Sequence, residues 1–99
     1  MAVPEINVDN TDEFQELINS KDFRIAKAIV EGILANMNTK KKHVHVLSVV
    51  CEDEEEIFDI TVERKHFCET LDENLKYYVE NEEYEGCQKI IEAIKVLKK

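Results

Sequence analysis

Proline occurs once and glycine twice in these 99 residues, and tryptophan not at all. So few turn-formers exclude a disordered chain and a many-turned all-β fold, and favour a few long elements. No CxxC pair links the three cysteines. Cys51, Cys68 and Cys87 are odd in number and widely spaced, which leaves no disulfide framework. Free thiols fit a reducing, cytoplasmic setting. Met1 to Glu5 lack the basic and apolar regions of a signal peptide, and no apolar run approaches the roughly 20 residues of a membrane span. A glycine-rich phosphate loop, a nucleophile elbow and an H-E-x-x-H helix are also missing. No cofactor and no enzymatic activity are expected.

Charge is what the chain has in excess. The formal net charge is −9, from 22 acidic and 13 basic residues. It is unevenly spread. Residues 1–39 hold 7 acidic and 3 basic groups, residues 40–51 hold 3 basic and no acidic ones, and residues 52–99 hold 15 acidic and 7 basic. Such a chain repels phosphate and suits a partner protein with a basic surface. A hydrophobic share of 43% is enough for a small core in one domain, 1–99. A core of that size makes homodimerisation an expected supplement, through a two-faced strand or an apolar second helix.

Two β-branched runs at the centre, within 42–64, read as an antiparallel β-hairpin. They are joined by Glu52-Asp53-Glu54-Glu55, which holds no Gly or Asn and so fits a four-residue turn better than a tight type I′ one. Strict alternation places Val44, Val46, Ser48 and Val50 on one face of the first strand, and His43, His45, Leu47, Val49 and Cys51 on the other. The apolar character of both faces beyond Leu47 predicts a central strand covered on both sides. Phe58, Ile60 and Val62 share one face of the second strand, and Ile57, Asp59, Thr61 and Glu63 the other. Residues 1–9 read as an extended lead-in that could add a third strand at 3–8.

The rest reads as helix. Asn10 and Glu13 form a capping pattern for a short helix over 11–19. Ser20 is placed to cap a longer one from Lys21 to Asn38, whose Gly32 marks a close approach to a neighbouring element. Residues 64–81 and 82–97 form an antiparallel helical hairpin, with Asn81 capping its second helix and Tyr84, Cys87, Ile91 and Ile94 as that helix's apolar stripe. The expected fold is α+β, in the order α-α-β-β-α-α.

The stretch Glu82-Glu83-Tyr84-Glu85-Gly86-Cys87-Gln88-Lys89-Ile90-Ile91-Glu92 and onward to Leu97 resembles the UVR-type helical hairpin of bacterial excision-repair proteins and of activators of protein arginine kinases. Tyr84, Cys87, Ile90, Ile94 and Leu97 match its apolar framework. Glu92 stands at its acidic position, and Ile91 departs from its basic one. The resemblance implies a protein–protein module.

Three sets of residues carry functional expectations. Glu52, Asp53, Glu54 and Glu55 at the hairpin tip, with Glu82, Glu83, Tyr84 and Glu85 at the start of the last helix, form acidic surfaces for a basic or nucleic-acid-binding partner protein. The leading expectation is therefore a small non-enzymatic regulator, adaptor or inhibitor. His43 and His45, two apart on a strand, are the candidates for a metal- or ligand-binding alternative. Lys40, Lys41 and Lys42 are the candidates for weak nucleic-acid binding, and a solvated corner is the plainer reading of that cluster.

Overall fold

The strand from His43 to Cys51 lies in the middle of a three-stranded sheet, and every other element is placed by it. The computed structural model describes residues 3–20 and 22–98. Along the described chain, strand β1 (Glu5–Val8) is followed by helices α1 (Thr11–Asn19) and α2 (Phe23–Ala35). Then come strands β2 (His43–Cys51) and β3 (Glu56–Glu63), a 3-10 turn over Arg64–His66, and helices α3 (Phe67–Glu80) and α4 (Tyr84–Leu97). The fold is α+β, as the sequence predicts. The lead-in supplies the third strand: β1 runs parallel to β2, with Glu5 opposite Ser48 and Val8 opposite Cys51. A parallel neighbour needs a long crossover, and α1 and α2 provide it. No described helix is long and apolar enough to cross a membrane.

The hairpin closes through Glu52–Glu55 between the paired Cys51 and Glu56, so the four-residue turn is present. Within it Glu55 has a positive φ of 52°. The two faces of β2 differ from strict alternation. Between His45 and Leu47 the register with β3 shifts by one, so Val46 is the extra residue of a β-bulge. The bulge turns Leu47, Val49 and Cys51 to the same side as Val44 and Val46, and all five are buried. It leaves His43, His45 and Ser48 on the opposite side, where Ser48 meets Asp59 of β3. Cys51 is thus separated from the histidines, and no described element covers the outer face. The apolar run beyond Leu47 reflects the bulge, not a second layer.

Helices α1 and α2 pack against the sheet, and α3 and α4 pack on α2 and on each other. Asn10 caps α1 by accepting from the Glu13 amide at 2.9 Å, and the Glu13 carboxylate accepts from the Asp9 amide at 2.8 Å. Phe14 stacks on Phe58 with centroids 6.4 Å apart. Helix α2 begins after Asp22, whose carboxylate accepts from the Arg24 amide and pairs with the Arg24 guanidinium. Ser20 instead ends α1, donating its hydroxyl to the Leu17 carbonyl. The expected start at Lys21 lies outside the described residues, as does the terminal Lys99. Gly32 makes the close approach the sequence predicts: a Cβ there would lie 2.5 Å from Cγ1 of Val46.

Helix α2 stops at Ala35, short of Asn38, because the next carbonyls are held elsewhere. The Arg64 guanidinium donates to the carbonyls of Asn36, Met37, Thr39 and Lys41, and it lies 5.0 Å from the Phe67 ring centroid. One side chain ties the α2–β2 loop to the start of α3. Ile33, Leu47, Phe67, Leu71 and Ile90 are fully buried at the centre, each contributing about 1.5–3 kcal/mol of apolar burial.

Helix α3 ends in a Schellman motif. The Glu82 amide donates to the Val79 carbonyl and the Glu83 amide to the Tyr78 carbonyl. Asn81 is therefore the C-cap of α3, its side chain donating to the Tyr77 carbonyl, rather than the cap of α4. On α4 the buried residues are Cys87, Ile90 and Ala93, with Ile94 and Leu97 packed against them. Tyr84 and Ile91, expected in the stripe, face out at 64% and 38% exposure. The buried set Cys87, Ile90 and Ala93 runs at three-residue steps, which leaves Ile91 at its edge, and Tyr84 is the first residue of the helix.

Candidate functional site

Four clusters of polar side chains have formed, and their wiring separates them. The first is on the outer face of the sheet. His45 Nε2 lies 3.1 Å from the Leu47 carbonyl, 2.9 Å from Ser48 Oγ and 3.3 Å from Asp59 Oδ1. Ser48 Oγ donates to Asp59 Oδ1 at 3.1 Å. Serine, histidine and aspartate together invite a nucleophilic reading, and the geometry opposes it. A relay needs the carboxylate on one ring nitrogen and the hydroxyl on the other. Here one nitrogen meets all three partners. The Leu47 carbonyl, which only accepts, competes for that same nitrogen, so the ring is not aimed at Ser48 as a relay base would be. The cluster is a polar latch across the bulge.

The second cluster is at the opposite end of the sheet from the hairpin tip. Lys40, Lys41 and Lys42 are exposed, and the clamp by Arg64 holds the Lys41 and Lys42 carbonyls, which sets Lys42 near Lys65 although they are more than twenty residues apart in sequence. Lys42, His43, Glu63, Arg64 and Lys65 line an open recess of about 460 Å³. Glu63 is its acidic member, 3.3 Å from Lys65, 3.8 Å from His66 and 3.9 Å from His43. His43 and His45 do share a face, as expected, but each is directed at a different carboxylate. Among the described residues no group of three or more His, Cys, Asp and Glu side chains is placed to hold a metal ion.

The third cluster is the hairpin tip. Glu52, Asp53 and Glu55 are exposed, and Glu54 is engaged. Its carboxylate accepts from the Thr11 hydroxyl at 2.6 Å and the Thr11 amide at 3.1 Å, at the N-terminus of α1. The Thr11 hydroxyl, and then the Thr11 amide, hold the Glu54 carboxyl below its usual range. The tip is docked further by the Glu52 and Asp53 amides, which donate to the Val8 and Asp9 carbonyls. Below it Cys51 is fully buried. Burial pushes its thiol up, Glu54 and Glu56 push the same way, and a thiol so placed is a poor nucleophile.

The fourth cluster is the knuckle between α3 and α4. Glu80, Glu82, Glu83 and Glu85 are all exposed there, and Tyr84 stands among them with 64% of its surface in solvent. Glu82 occupies the left-handed position of the Schellman motif, with φ 57°, where glycine is the favoured residue. Behind the knuckle the Tyr78 ring meets Phe23 edge-on at 4.9 Å. Burial, with smaller contributions from Glu31 and Glu83, pushes the Tyr78 hydroxyl up to about 12. A Cβ on Gly86 would lie 2.4 Å from that ring, which explains the second glycine. Tyr78 is therefore the structural tyrosine of this region and Tyr84 the presented one.

No protein-family model, no curated protein and no solved structure matches the chain.

Proposed function

We propose that this protein is a non-enzymatic binding module, a small regulator, adaptor or inhibitor that docks on a basic surface of a larger protein through the α3–α4 knuckle. The observation that carries this reading is Tyr84. A large aromatic side chain is left 64% exposed at the start of α4, in a stretch that also exposes Glu80, Glu82, Glu83 and Glu85. Exposed tyrosine is the kind of side chain on which interface energy concentrates, and a charged rim steers a partner of opposite sign. The left-handed Glu82 supports the same reading, because the position keeps a carboxylate where glycine would relieve backbone strain. The UVR-type resemblance of residues 82–97 also implies a protein–protein role for this hairpin. Glu52, Asp53 and Glu55 add a second acidic surface, with Glu54 committed to Thr11.

Affinity capture from the native cellular context tests this proposal. The wild-type chain should recover a partner that the Tyr84→Ala and Glu83→Lys/Glu85→Lys variants lose. All of these side chains are exposed, so the fold should be retained. Equal recovery by every variant overturns the proposal. A second reading, weak nucleic-acid binding through Lys40, Lys41 and Lys42, is favoured only by the recess that Lys42 shares with Arg64 and Lys65. A gel shift at low salt should show no complex if the binding-module reading holds.

A further inference from the structure

The sequence predicts a dimer seam on the two-faced strand or the second helix, and neither is open. β2 is flanked on both sides, and α2 lies between the sheet and α3. What remains is the outer edge of β3, eight regular residues with no described neighbour on that side. Its backbone groups alternate. The Arg64 amide donates inward to the Lys42 carbonyl, so Val62, Ile60 and Phe58 also face β2. Ile57, Asp59, Thr61 and Glu63 then present their N–H and C=O groups outward. The edge carries no lysine, proline or bulge of the kind that blocks strand addition. Its side chains are those of an unfinished interior: Ile57 is 65% and Phe58 36% exposed, and Ile60 and Val62 are half-buried on the inner face.

We infer that β3 pairs antiparallel with β3 of a second copy of this chain, across a two-fold axis at Ile60, to make a continuous six-stranded sheet. Charge selects that register. The edge bears Glu56, Asp59 and Glu63 and no basic residue within the strand. An axis at Asp59 sets the two aspartates against each other, and one at Thr61 sets Asp59 against Glu63. With the axis at Ile60, Asp59 meets Thr61 of the second copy, Phe58 meets Val62, and Ile57 meets Glu63. No acid faces an acid across seven residues. The same register brings Glu55 and Glu56 of one hairpin tip beside Lys65 and Arg64 of the other copy. The acidic and basic ends of the sheet, separated in one chain, thereby become neighbours in the pair. The acids along the edge admit this register and repel the adjacent ones. The inference is independent of the knuckle, which lies on other elements.

Sedimentation equilibrium of the full chain should give twice the mass of one chain, and a single-chain mass at about 100 μM overturns the inference. Thr61→Lys and Thr61→Glu, both at an exposed position, then test the register by sign. Lysine would face Asp59 of the other copy twice and glutamate would repel it twice, so the dissociation constants should differ by about tenfold, with lysine tighter. Equal constants, or the reverse order, overturn the register. In mild oxidant Ile60→Cys should cross-link to itself, because that pair is of the non-hydrogen-bonded kind, and Asp59→Cys should not. Cross-linking at residue 59 alone contradicts the inference. Circular dichroism of each variant confirms that a monomer is a folded one.

Discussion

Replacing Gly32 by alanine tests the close approach of α2 to the bulge residue Val46. A Cβ at residue 32 would lie 2.5 Å from Cγ1, 2.8 Å from Cβ and 3.2 Å from Cα of Val46. Rotating Val46 about χ1 moves only the first of these atoms, so the strand or helix must withdraw. Overpacking of this kind costs about 1–3 kcal/mol, and the gain in helix propensity from Gly to Ala returns about 1. With backbone involved the upper end applies, and Gly32→Ala should destabilise by about 2 kcal/mol. Val46→Ala removes two methyl groups at a site 1% exposed and should also cost about 2 kcal/mol. The double variant should recover part of that sum, because the alanine methyl at 32 enters space vacated at 46. A coupling of about 1–2 kcal/mol is expected. Urea denaturation of the four proteins measures it. Costs that add to within about 0.5 kcal/mol, or a stabilising Gly32→Ala, would refute the packing of α2 on Val46 and the placement of the bulge residue.

Glu82→Gly should stabilise the protein by about 1 kcal/mol, seen as a rise in melting temperature, because the left-handed position no longer strains a side chain. The same variant should retain the fold and weaken partner capture. Glu54→Gln should lower stability at neutral pH, and the difference should close in acid. The Glu54 carboxyl is held below its ordinary value of 4.5, so its contribution is present above that pH and is lost as pH falls through the lowered value. Melts of wild type and variant should therefore converge once the pH has fallen below that lowered value. A gap that persists there refutes the Thr11–Glu54 link.

Local signals in the chain were legible where they acted alone. Asn10 with Glu13 set the start of α1, and the observed helix is Thr11–Asn19. The absence of Gly and Asn between Cys51 and Glu56 set the four-residue turn, and the lone Gly32 marked a close approach that is present. The readings that failed are those where a tertiary partner decides. Nothing in His-Val-His-Val-Leu announces a bulge, because a strand with an extra residue still looks like alternation with one irregular step. That step moved Ser48 to the side of His45 and Cys51 to the core. Asn81 carries the signature of an N-cap, but the same side chain serves the end of α3 when the helix closes in a Schellman motif. Tyr84 matched an apolar stripe by spacing, and only the packing of Cys87, Ile90 and Ala93 shows that it lies outside. The meeting of Lys42 with Lys65 depends on Arg64 reaching carbonyls more than twenty residues away, which no periodicity encodes.

Docking through Tyr84 and its carboxylate rim is open to a single titration. Once a partner is captured, its affinity for wild type and for Tyr84→Ala is measured by calorimetry at low and high salt. Loss of a presented aromatic anchor should weaken binding by about 2 kcal/mol, near thirtyfold, and salt should weaken the wild-type complex further. A dissociation constant unchanged by Tyr84→Ala and indifferent to salt would contradict a docking surface at this knuckle.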